Sequence, residues 1–170
     1  GAVGGRRDLL NILSFPPDVD PHRRIGHPGT FNANPLSAAV GTRCLQLIAD
    51  GAANAAAERA ARRLRLGISR AIAATNVTAF CHQRASIVWI VFGTTNEDDP
   101  ELCTPPRKTA ADGRAPRYSE PFKRALLNRG VDALGGTFIV SAVHTDTQID
   151  HTVTAVEEAL TRMKADEVLH

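Results

Sequence analysis

Apolar residues recur at helical spacing in several stretches of the chain, and at strand spacing only in its second half. Leu36, Val40, Cys44, Leu47 and Ile48 fall on one face of a helix predicted over 36–50. Asn34 suits its N-cap, Pro35 its first turn, where no N–H is needed, and Gly51 its stop. A second helix is predicted from Ala52 to Ala74. Ala57, Ala60, Ala61, Leu64, Ile68, Ala71 and Ile72 share its inner face, and Arg59, Arg62, Arg63 and Arg70 point away. Gly67 costs this helix about 1 kcal/mol relative to alanine, which leaves a break there open. A short helix over Arg6–Leu13 carries Leu9, Leu10 and Leu13 on one side. Val77–His82 and Ser86–Phe92 read as strands joined by Gln83-Arg84-Ala85. The second of them is apolar on both faces and is therefore expected to be central, with Trp89 a core residue. Pro121–Asn128 is a helix bearing Phe122, Leu126 and Leu127 and closing on Gly130. Val131–Leu134 and Thr137–Val143 are strands around a Gly135-Gly136 hairpin. Thr145-Asp146-Thr147-Gln148 is a capping-box pattern that opens a last helix, with Ile149, Val153, Val156, Leu160 and Met163 as its buried stripe.

Two stretches lack any period. Ser14–Ala33 holds four prolines, and Gly93–Glu120 is polar and proline-rich. From Val77 onward the order is strand, strand, loop, helix, strand, strand, helix. That order predicts an α+β fold, with helices on one face of a mostly antiparallel sheet. Two domains are expected, 1–50 and 51–170.

Composition narrows the function classes. The chain has 170 residues, 43% of them hydrophobic and only 5% aromatic, and a net charge of +2. Aromatic scarcity and near-balanced charge argue against a nucleic-acid binder, and the arginines of the second helix read as a solvated outer face. No apolar run approaches the length of a membrane span, and no signal peptide opens the chain. Cys44, Cys81 and Cys103 are odd in number, widely spaced and without a CxxC pattern. They suit a reducing cytoplasm, with Cys44 expected to be buried. Asp98, Asp99 and Glu101 lack the spacing of a metal site and are expected to face solvent. His144 is read as a strand-end residue, since no nucleophile or carboxylate partner is marked out beside it. The chain also opens on glycines rather than methionine, as the middle of a longer protein would.

Ahead of the first long helix stands His27-Pro28-Gly29-Thr30-Phe31-Asn32-Ala33-Asn34-Pro35. Gly29 lets a backbone approach a ligand closely, and Thr30 adds an N–H and a hydroxyl, the donors that a phosphate or carboxylate takes. Arg23, Arg24 and His27 make the preceding loop basic. The segment Gly29–Ala39 resembles the one that, in class III aminotransferases, enters the long helix towards the small domain. Gly1-Ala2-Val3-Gly4-Gly5-Arg6 resembles the strand end after that family's cofactor lysine. Val140–Asp146, with Ile149-Asp150 after it, resembles the family's last strand and last helix. Glutamate-1-semialdehyde 2,1-aminomutases are the members it resembles most.

The resemblance implies the C-terminal small domain of a fold-type-I pyridoxal-phosphate enzyme, preceded by the last piece of the large α/β domain. Residues 1–50 would be the end of the large cofactor domain and the connecting helix, and 51–170 the small domain. It implies pyridoxal 5′-phosphate as cofactor, with Gly29 and Thr30 donating to its phosphate from the neighbouring subunit of a homodimer, and a small amino acid or amino-aldehyde as substrate. The lysine that takes the cofactor's aldehyde would lie upstream. None of Lys108, Lys123 and Lys164 is flanked by the family's lysine pattern, and no catalytic or metal-binding residue is assigned to this chain. The reading is thus part of a transaminase or aminomutase, inactive alone, without nucleic-acid or membrane partners. The alternative is a non-catalytic α+β module that binds an anion or a partner.

Overall fold

The computed structural model describes residues 4–13, 20, 22, 26, 29–32, 34–93 and 116–169. Cys103, Lys108 and the acidic group at 98, 99 and 101 lie outside the described residues, as do Arg23, Arg24 and His27. The chain divides into two compact units, 1–50 and 51–170.

In the first unit, α1 (Arg7–Leu10) runs into a 3-10 turn (Asn11–Leu13), and α2 spans Pro35–Ile48. The start of α2 follows its sequence. Asn34 is extended, its side chain accepts from the Ser37 N–H at 3.0 Å, and Pro35 occupies the first turn. Its end does not follow the expectation. The helix stops at Ile48, and Gly51, with a φ of +74°, instead precedes the next helix and accepts the Ala55 N–H. No residue of α2 is buried. Cys44 is exposed, contrary to its expected burial. A helical period shows which residues share a face, but not what lies against that face.

The second unit carries the core. α3 (Ala52–Thr75) is followed by β1 (Ala79–Arg84), β2 (Ile87–Phe92), α4 (Pro116–Leu127), β3 (Thr137–Ile139) and α5 (Asp146–Ala165). The described strands form an antiparallel sheet in the order β1-β2-β3, so β2 is central. Ala85 and Ser86 make the first hairpin turn, Ala85 at a φ of +49°. Val88, Ile90 and Phe92 alternate onto one face, where they join Ala79, Cys81 and Phe138 under the three helices. Phe122 of α4 stands edge-on to both Phe92 and Phe138. On the opposite face Trp89 is half-buried and stacks on the buried His82, with ring centroids 4.9 Å apart.

α3 runs as the one helix expected and is unbroken at Gly67. Gly67 is buried where α5 crosses, and a Cβ there would lie 2.3 Å from Val153 Cγ2. The glycine is a contact point between helices rather than a hinge. α4 begins five residues earlier than expected, with Pro121 inside it. Pro121 is the sixth residue of the helix, past the first turn where proline is ordinarily tolerated, so this proline does not mark the boundary. Leu127 lies exposed on the outer side of α4. The expected second hairpin shrinks to a turn. Leu134 makes a single bridge with Thr137, and Ile90 N–H donates to the Gly136 carbonyl at 2.8 Å. A Cβ on Gly136 would meet Ile90 O at 2.8 Å, so the glycine there serves the close approach of two backbones.

The start of α5 is the predicted capping box. Thr145 accepts from Gln148 N–H, and the Gln148 side chain accepts from Thr145 N–H at 2.9 Å. Ile149, Val156, Leu160 and Met163 are buried as expected, joined by Ala155 and Ala159, whose small side chains admit neighbouring elements.

Candidate functional site

Gly29 and Thr30 open a tight turn, closed by Asn32 N–H donating to Gly29 O at 3.1 Å. The next turn follows at once, with Asn34 N–H donating to Phe31 O at 3.1 Å. Gly29, Thr30, Phe31 and Asn32 are all exposed, and Asn34 then caps α2. Two consecutive turns feed a capped helix and leave Gly29, Thr30, Phe31 and Asn32 on the surface. A phosphate or carboxylate can be bound by such a surface. The turn holds no titratable group, so whatever it does there is hydrogen bonding and shape.

The described lysines are placed by the fold. Lys164 does more than complement the end of its own helix. Its Nζ donates to the carbonyls of Thr75 and Asn76, each at 3.0 Å, and so caps the C-terminus of α3. Lys123 lies half-buried on α4. His144 is exposed; its Nδ1 accepts the Ser141 N–H at 2.9 Å, a turn-forming role in keeping with a strand-end histidine. Of the arginine face, Arg63 is taken up by α5. It holds Asp150 through two bonds, of 2.9 and 2.7 Å, and stands 3.3 Å from Asp146. That fork keeps the Asp150 carboxyl below, and the Arg63 guanidinium above, its ordinary pKa.

Two features went unnoticed in the sequence. The first is a cleft of about 490 Å³ in the second unit, between β3 and the start of α5. Phe138, Val140 and Ile149 floor it, and Asp132, His144 and His151 stand among its polar lining. His151 Nε2 donates to the Arg129 carbonyl at 2.9 Å, so its ring is held by the backbone. The second is Asn32, whose side chain lies across Gly29; the Gly-x-x-Asn spacing of a turn was the available signal. Among the described residues no group of three or more His, Cys, Asp or Glu is arranged to hold a metal. No described helix is long and apolar enough to cross a membrane.

No protein-family model matches the chain. Individual proteins do. Glutamate-1-semialdehyde 2,1-aminomutase of Desulforudis audaxviator is 32% identical over 162 residues, covering 94% of this chain and 34% of that protein. A β-phenylalanine aminotransferase from Variovorax paradoxus is similar in structure, with a TM-score of 0.63 and 26% identity over 95% of this chain and 35% of its own. The FumI protein of Sphingopyxis sp. MTA144, solved in its PLP internal aldimine form, shares the fold at a TM-score of 0.58, with 22% identity over 85% of this chain and 31% of its own. The chain spans about a third of the length of the curated relatives it matches. It is therefore an aminotransferase- and aminomutase-like region, homologous over nearly its whole length to the C-terminal part of pyridoxal-phosphate-dependent enzymes such as glutamate-1-semialdehyde 2,1-aminomutase.

Proposed function

We propose that this chain is the phosphate-gripping part of a class III transaminase or aminomutase that moves an amino group on an amino acid or amino-aldehyde. The observation that carries the reading is 32% identity to an aminomutase across 94% of the chain, with the Gly29–Thr30 turn exposed at the head of α2. When bound, pyridoxal phosphate supplies an electron sink for carbanion chemistry at the amino-bearing carbon. The Gly29–Thr30 turn suits its phosphate, and among the described residues no lysine is assigned to its aldehyde. Thr30 offers a hydroxyl and an N–H, and Gly29 lets the backbone come close. Lys164 is committed to the end of α3.

In this reading Gly29 and Thr30 serve a cofactor held by the neighbouring subunit of a homodimer. The reactive lysine is on the upstream part of the protein, and this chain alone is inactive. The first unit closes the large cofactor domain and the second is the small domain. The cytoplasm is the proposed compartment, supported by three widely spaced cysteines, of which Cys81 is a buried thiol.

The test is to add pyridoxal phosphate to the chain and reduce with borohydride. No single lysine should retain the cofactor; stoichiometric labelling of Lys108, Lys123 or Lys164 would overturn the division of labour. In the dimeric enzyme containing this region, Thr30→Ala should weaken cofactor retention about tenfold, the size of one hydrogen bond to a charged group. Unchanged retention removes Thr30 from the site.

A further inference from the structure

The hairpin that carries β3 opens as it leaves its turn. Leu134 and Thr137 make one bridge around Gly135-Gly136. Continuing that register would set Asp132 opposite Ile139. The two arms part instead, and the cleft of about 490 Å³ lies between them and the first turns of α5, lined by both of these residues. Small-molecule sites have volumes of roughly 300–1,000 Å³, so the space is of that order. Phe138, Val140 and Ile149, all buried, give it an apolar floor.

Around that floor the cleft offers acceptors and one charge. Ile90 N–H donates to the Gly136 carbonyl and Val140 N–H to the Ser86 carbonyl, so alternate residues of this arm bond across to β2. The backbone of Ile139 therefore faces the other way, and its carbonyl and N–H stand on the open edge. His151 spends its Nε2 proton on the Arg129 carbonyl, which leaves Nδ1 of the neutral ring as an acceptor. Arg129 is three residues before Asp132, so His151 and Asp132 belong to the same end of the cleft. His144 lines the other end; its Nδ1 accepts the Ser141 N–H, so the neutral ring keeps its proton on Nε2 and offers a donor. The Asp132 carboxylate makes no ion pair among the described residues, and no lysine or arginine lines the cleft. The nearby guanidiniums are committed elsewhere. Arg129 pairs with Glu158, and Arg63 is shared by Asp146 and Asp150, a trio that keeps one negative charge over.

We propose that this cleft binds an organic ammonium ion with an apolar body. An ammonium group has N–H donors and no acceptor, and the Asp132 carboxylate, the Ile139 carbonyl and His151 Nδ1 are the acceptors for it. The body of the ligand lies over Phe138, Val140 and Ile149. A bare metal ion does not suit the site, because Asp132, His144 and His151 are not grouped to hold one. An organic anion would meet the Asp132 charge with no cation to offset it. Every residue involved belongs to the second unit, so the proposal stands apart from the reading of Gly29–Thr30.

The test titrates 2-phenylethylammonium into the ¹⁵N-labelled chain at millimolar concentrations and follows the amide signals. Those of 131–132, 138–140 and 147–152 should move along one saturation curve, while those of β1 stay in place. Two further probes separate charge from bulk. 3-Phenylpropionate has a similar body and the opposite charge, and methylammonium has the head without the body; each should bind about tenfold more weakly or worse. Asp132→Asn keeps the shape of an exposed side chain and removes its charge. It should weaken 2-phenylethylammonium about fivefold, a modest loss because the site is partly open to water, and leave the spectrum away from the cleft unchanged. The proposal is overturned if 2-phenylethylammonium moves none of the cleft signals, if 3-phenylpropionate binds there as well as the amine does, or if Asp132→Asn binds the amine as tightly as the parent.

Discussion

At Cys81 the thiol lies in the core under α3, and burial pushes its pKa up to about 12. The thiolate is the nucleophile, so this side chain is inert at neutral pH, whereas Cys44 is exposed on α2. Iodoacetamide at pH 7.5 should label Cys44 in the native chain and reach Cys81 only after unfolding, as read by peptide mapping. Native labelling of Cys81 at a comparable rate would mean that the sheet face is not closed. Asp150 is the other residue whose chemistry the fold changes. The Arg63 fork holds its carboxyl below the ordinary value of 3.8. A lowered folded-state pKa means stability that is present at neutral pH and is lost as pH falls through and below about 4. Both side chains are about half exposed, which screens the effect. The melting-temperature gap between the parent and Asp150→Asn should be small at pH 7 and shrink as pH falls below about 4. A gap that grows on acidification would contradict the sign. These residues mark the limit of what the sequence could tell. Asn34, Thr145 and Gln148 were legible because each acts on a backbone group about three residues away. Asp150, Cys44 and Lys164 depend on what the fold brings from far along the chain.

Between elements, the tightest meeting is that of α3 and α5 at Gly67. Alanine at this position gains about 1 kcal/mol in helix propensity, but its methyl would lie 2.3 Å from Val153 Cγ2 and 3.0 Å from Cγ1. Overpacking of this kind costs about 1–3 kcal/mol, and the neighbour here is a branched side chain on a well-anchored helix, so the loss should win. Gly67→Ala is expected to lower the urea midpoint of the second unit. Adding Val153→Ala removes both clashing methyls and should recover part of the loss, since the propensity gain remains while a small cavity is left. A Gly67→Ala chain as stable as the parent would show that α5 can shift freely on α3. The inner stripes of α3 and α5 were readable because a 3.6-residue period survives any packing partner. The meaning of Gly67 was not, because intrinsic propensity sees a weak point where tertiary structure needs a small residue. The start of α4 was misread for a related reason, since Pro121 resembles a boundary and lies within the helix.

On the scale of the whole chain, the division of burial between the two units governs what the molecule can do by itself. Residues 51–170 close a core around Leu64, Ile90, Phe122 and Leu160. No described residue of 1–50 is buried, and Leu36, Val40, Leu45 and Leu47 of α2 stand exposed. Helices of this length, 14 residues, are marginal in water without a packed face, even when well capped. Asn34 and Pro35 set where α2 begins, but a single cap contributes only about 1 kcal/mol. The two units should therefore differ sharply in hydrogen exchange. Central amides of α3 and α5 should exchange only through global unfolding of the second unit. Those of α2 should exchange close to the helix–coil limit, faster by roughly three orders of magnitude or more. In the proposed full-length dimer the same α2 amides should become protected, because burial rather than capping would then hold the helix. Measuring exchange on the chain alone and on the dimeric enzyme separates the two contributions. Equal protection of α2 and α3 in the chain alone would mean that the first unit is stable without a partner surface, and the proposed division into the end of a large domain and a separate small one would have to be redrawn.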